Sequence, residues 1–89
     1  MIVPEFTFDQ EANAWMSEPF IIDQQAMVHI ELASCAPMVI LKQEADGGYA
    51  NYGQTPKSND CFEVNITTKG AVNIMLAVPV EVTKCYILN

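Results

Sequence analysis

Residues 26–32 read AMVHIEL, and the two sides of that stretch differ in chemistry: Val28, Ile30 and Leu32 are apolar, while Met27, His29 and Glu31 alternate with them. A period of two sends successive side chains to opposite faces of a β-strand, so one face is core and the other is wet or interfacial. The same period recurs further along the chain. Residues 61–67 (CFEVNIT) point Phe62, Val64 and Ile66 inward, and residues 72–78 (VNIMLAV) do so with Val72, Ile74, Leu76 and Val78. Lys69 and Gly70 are read as the turn between them. Residues 37–43 (PMVILKQ) are apolar on both faces, as in a central strand with its second face covered. Pro79 has no N–H to donate and breaks the ladder ahead of a last strand over 80–88. Short strands over 5–8, 12–16 and 20–22 precede the opening stretch, separated by acidic or Pro-containing turns. About seven or eight strands without a helical period predict an all-β chain. The expectation is a small antiparallel β-sandwich or jelly roll, one domain over residues 1–89.

Composition bounds what such a domain can do. A chain of 89 residues buries only roughly 60–65% of the surface it exposes unfolded, which leaves little room for a deep active site. With 51% hydrophobic and 17% charged residues and a positive mean hydropathy, it has ample core material, and the surplus points to a buried interface. Lys42, Lys57, Lys69 and Lys84 are its only strong bases against eleven carboxylates, for a formal charge of −7. Scattered lysines cannot track a phosphate backbone or an anionic bilayer, so nucleic acid and membrane are excluded as expected partners. Without Arg there is no bidentate fork for carboxylates or phosphates, which leaves uncharged sugars, cations and proteins. No apolar run reaches the length of a membrane span, and the N-terminus lacks the basic and apolar regions of a signal peptide, so cytosolic synthesis is expected. Cys35, Cys61 and Cys85 form no CxxC and are read as free, mostly buried thiols.

One polar stretch interrupts the apolar pattern: QEADGGYANYGQTPKSND, residues 43–60. Asp46 and Gly47 are a strong hairpin signal because both tolerate positive φ. The part beyond, residues 53–60, is longer than a hairpin needs and is expected to cross an exposed edge. Asp46, Tyr49, Asn51, Tyr52, Lys57, Asn59 and Asp60 are therefore the candidate ligand or partner loop. Two specific readings attach to it. Asp46, Asn51, Asn59 and Asp60 are oxygen ligands suited to Ca²⁺, but their spacing does not match an EF-hand loop. Tyr49 and Tyr52, with Trp15, offer aromatic faces on which a sugar ring can stack. The glycines lack the GxxxxGK[ST] pattern of a phosphate loop.

Catalytic signals are thin. His29 lies mid-strand and is read as a solvated or interface histidine, no nucleophile and base are paired by spacing, and a carboxylate pair for glycoside hydrolysis lacks a cleft. No catalytic residue, metal or cofactor is assigned. The stronger signal is apolar: Met27, Met38, Ile40, Met75 and Ile87, with Ala77 and Cys85, are placed opposite the core sets of their strands. They are the expected interface with a second subunit.

Residues 15–20 (WMSEPF), 28–32 (VHIEL), 39–41 (VIL), 46–49 (DGGY) and 85–88 (CYIL) together resemble the small β-sandwich accessory proteins of tailed-phage virions, meaning capsid decoration and head-fibre modules. The resemblance covers most of the chain as a pattern and transfers no functional residue. It implies a non-enzymatic, virion-associated structural protein that forms a homo-oligomer, often a trimer, and attaches to a larger assembly such as a capsid. The alternative expectation is a small carbohydrate-binding module that uses the loop aromatics on a host-surface glycan.

Overall fold

In the computed structural model, which describes residues 1–89, the alternating stretches become seven strands: β1 (Phe6–Asp9), β2 (Ala14–Ser17), β3 (Phe20–Leu32), β4 (Val39–Gln43), β5 (Tyr49–Gln54), β6 (Cys61–Val78) and β7 (Val82–Leu88). No helix is present, and every strand pair is antiparallel. The expected all-β antiparallel class is the observed one.

Two long strands frame the molecule. β3 pairs with β6 from Phe20↔Ile74 to Glu31↔Cys61, and β2 pairs with the same edge of β6 at Trp15↔Val78 and Met16↔Ala77. β2 and β3 thus run end to end, and buried Ser17 fills the break, its Oγ accepting the Leu76 N–H at 2.8 Å. β4 occupies the opposite edge of the C-terminal half of β6, β5 pairs β4, β1 pairs β2, and β7 pairs the C-terminal half of β3. The layers of the expected sandwich are accordingly two halves of one continuous sheet: β1-β2-β6-β4-β5 at one end of β6 and β6-β3-β7 at the other. Two links help close the curl. Ile2 and Ile87 exchange backbone hydrogen bonds of 2.9 and 2.8 Å before the chain enters β1, and the Tyr52 hydroxyl on β5 donates to the Thr67 carbonyl on β6 at 2.6 Å.

β6 joins what the sequence suggested were two strands, and β3 likewise absorbs 20–22 and 26–32. Lys69 and Gly70 form a bulge where a turn was expected. Thr68, Lys69 and Gly70 stand opposite the single residue Gln24, with Gly70 at φ 81° and Gln24 at φ 74°. The buried Thr68 hydroxyl holds this site, accepting the Gln24 N–H at 3.0 Å and donating to the Gly70 carbonyl at 2.8 Å. A surplus of two residues leaves the side-chain parity intact, so Ile66 and Ile74 both reach the core across it.

Fifteen buried apolar side chains form one cluster, supplied mainly by Phe20, Ile22, Ala26, Val28, Ile30 and Leu32 of β3 and by Ile66, Ile74, Leu76 and Val78 of β6. Burying each such large side chain contributes about 1.5–3 kcal/mol before conformational entropy opposes it.

The facing of three expected interface residues is corrected here. Met38, Ile40 and Ile87 point into the core, as does Cys85, and Met38 and Ile87 are completely buried. For β4 the cause is a strand apolar on both sides, whose period cannot say which side is inner; Pro37, Val39 and Leu41 take the outer one. For β7 the cause is a bulge. The register with β3 shifts between Lys84 and Val82, Thr83 being the extra residue, so inward parity passes from Val82 to Cys85 and Ile87.

Candidate functional site

The outer face of the β6-β3-β7 half carries a hydrogen-bonded polar cluster around His29. Strand β3 puts His29 and Glu31 on one face, and the antiparallel register sets Glu63 opposite His29, Cys61 opposite Glu31, and Tyr86 and Lys84 on the other side. His29 Nε2 lies 2.7 Å from Glu31 Oε2 and Nδ1 lies 3.1 Å from Glu63 Oε2, so both ring nitrogens face carboxylates. The Tyr86 ring stacks on the imidazole at 4.7 Å between centroids, and Lys84 Nζ sits 6.0 Å from the Tyr86 centroid. The hydrogen bond to Glu31, then that to Glu63, raises the His29 pKa above its ordinary value against the opposing effect of partial burial. The same bond from His29 holds the Glu31 carboxyl below its usual range, with Lys84 adding a smaller effect of the same sign. Cys61 is exposed beside this group.

The outer face of the other half is apolar. Met16, Ala77 and Val39 stand in one cross-strand row, and Leu41 faces Met75 in the next. All five are half-buried, and the chain itself places no further layer over them. Pro37 and Pro79 flank a shallow groove of about 350 Å³ over these rows. Asn73 and Gln43, joined side chain to side chain at 2.9 Å, border the patch. Of the expected interface set, Met75 and Ala77 lie on this face. Met27 also points outward, but on the polar half, between Asn65 and Leu88.

The expected loop is divided among several structural tasks. Asp46 shapes the β4–β5 turn, its Oδ1 accepting the Gly48 N–H at 2.9 Å, with Gly47 at φ 91°. Tyr52 is the extra residue of a bulge in β5, held by Thr67 and covered by Lys42 Nζ at 5.6 Å from its ring. Tyr49 and Asn51 pair with Gln43 and Leu41 on β4. Beyond Gln54 the chain is tied to neighbouring strand ends: Thr55 Oγ1 accepts the Met38 N–H at 2.8 Å and the Asp60 carbonyl accepts the Leu32 N–H at 2.7 Å. Lys57 and Asn59 are exposed. Of the three residues suggested for sugar stacking, Trp15 packs edge-on against Phe8 at 5.6 Å, and the Tyr52 hydroxyl is bonded to Thr67.

Comparison with protein-family models, curated proteins and solved structures gives no match to this chain.

The sequence reading left out Glu31, Glu63 and Cys61 as partners of His29, and Met16, Val39 and Leu41 as outward apolar residues. The first group would follow from pairing 26–32 with 61–67 in antiparallel register, since both stretches alternate cleanly. The second had no signal in periodicity.

Proposed function

We propose that the chain is a non-enzymatic interaction module that associates with copies of itself through the outer face of β2, β6 and β4. The observation that carries this reading is the continuous row Met16, Ala77 and Val39 with Met75 and Leu41 beside it, left partly exposed with no strand packed across it. A contiguous apolar patch framed by polar groups is the usual mark of a protein contact, and Met supplies adaptable surface at such contacts. Self-association buries the patch by symmetry without requiring a second gene product. Attachment of the resulting oligomer to a larger assembly such as a virion extends this proposal, and it rests on the sequence resemblance alone.

The test is light scattering after size exclusion, run from micromolar to near-millimolar protein on the native sequence and on a Leu41→Glu, Met75→Glu double variant. The native chain should form a closed oligomer as concentration rises, while the variant stays monomeric with unchanged far-ultraviolet circular dichroism. A native chain that remains monomeric over the whole range overturns the reading.

A further inference from the structure

One pleat of β3 and one of β6 gather an imidazole, a thiol and two carboxylates on the polar outer face. One ligand atom from each of His29, Glu31 and Cys61 lies within 4.8 Å of the other two. We propose that these three side chains bind one divalent first-row transition ion, with Zn²⁺ the best match, and that Glu63 is a positioning residue behind the imidazole. The proposal is independent of self-association, which uses the opposite half of the sheet.

The donor set selects the ion. Nitrogen, sulfur and a single carboxylate oxygen suit Zn²⁺ and its neighbours, whereas Ca²⁺ and Mg²⁺ require shells of oxygen. Ligand atoms on a tetrahedral Zn²⁺ stand about 3.3–3.8 Å apart, given bonds of about 2.0–2.3 Å. His29 Nε2 and Glu31 Oε2, now 2.7 Å apart, must open slightly, and Cys61 Sγ, within 4.8 Å of both residues' ligand atoms, needs a shift of at most about 1.5 Å. Cys61 is exposed, so its rotation meets little resistance. The ion then displaces the proton between Nε2 and Glu31, and that proton and the Cys61 thiol proton pass to solvent.

The surroundings fix the imidazole for this role. With an ion on Nε2 in place of its proton, Nδ1–H donates to Glu63 Oε2, 3.1 Å away, which fixes the tautomer whose Nε2 lone pair faces the ion. Stacking on Tyr86 with an interplanar angle of 16° restrains the ring. Lys84, opposite Glu31 on β7, makes no ion pair with it, so His29 is the one basic side chain in contact with that carboxylate. Three protein ligands leave a fourth position for water, the arrangement of an open zinc site.

Titration of the metal-free full chain with Co²⁺, followed by absorption, tests the site. One equivalent should give a thiolate-to-cobalt charge-transfer band with tetrahedral visible bands, and Zn²⁺ should bleach both. Cys61→Ser should abolish the charge-transfer band, Cys35→Ser should keep it, and Glu63→Gln should weaken Co²⁺ binding about 10–100-fold. Absence of the band at saturating Co²⁺, or its survival in Cys61→Ser or His29→Gln, overturns the proposal. A second readout does not depend on the variants: Zn²⁺ should protect Cys61 from iodoacetamide, and chelation should restore its reactivity. Equal alkylation rates with and without Zn²⁺ would likewise refute it.

Discussion

Strand β6 presents two different surfaces along one line of outward side chains. Before the bulge that line reads Cys61, Glu63, Asn65 and Thr67, and after it Asn73, Met75 and Ala77. The first half answers its own polar groups: His29 bonds both flanking carboxylates, and no buried side-chain nitrogen or oxygen lacks a partner. The second half leaves its apolar row partly exposed. One core therefore supports two unlike exteriors, and the Thr68–Gly70 bulge separates them without disturbing what points inward.

Four perturbations break or sharpen that contrast. The widest gap is between an inward and an outward thiol. Burial pushes the Cys85 pKa up to about 12, so at mildly alkaline pH it holds about a thousandfold less thiolate than an ordinary thiol. Mass spectrometry after iodoacetamide treatment should find Cys35 and Cys61 modified and Cys85 untouched while the fold is intact. Next, Ile74→Ala should remove about 2–5 kcal/mol in urea unfolding, because Ile74 is fully buried where β3, β4 and β6 meet. It should weaken both exteriors together, as they share this core. Met75→Glu should act on one exterior only, shifting the association midpoint about 30-fold if the residue contributes about 2 kcal/mol at the contact. Sedimentation would show that shift with little change in melting temperature. Smallest is Gln24→Gly, which relieves the positive φ opposite the bulge. It should stabilise the monomer by up to about 1 kcal/mol in the same urea assay and leave both surfaces unchanged.

Fold class was legible because β3 and both halves of β6 alternate over many residues, and Ile66, Ile74, Leu76 and Val78 point where the period sends them. The failures concentrate at bulges. Thr83 reverses the parity of β7, so Cys85 and Ile87 were placed outside, and Lys69–Gly70 looked like a turn although the chain continues straight into the second half of β6. Neither feature leaves a trace in a period of two, because a bulge is defined by the partner strand. Met38 and Ile40 failed for another reason: residues 37–41 are apolar throughout, so packing against Leu76 and not periodicity decides their side. The His29 cluster required the register of two strands more than thirty residues apart in sequence, and a single residue of slippage would have scattered it.

The measurement closest to the central claim is methyl NMR of the five methionines with a soluble paramagnetic agent, at low and high protein concentration. Buried Met38 should resist broadening at both concentrations, and Met27, on the polar half, should broaden equally at both. Met16 and Met75 should broaden at low concentration and become protected at high concentration, as the apolar face is covered by another copy. If Met16 and Met75 instead track Met27 throughout, that face is not a self-association surface and the central claim fails.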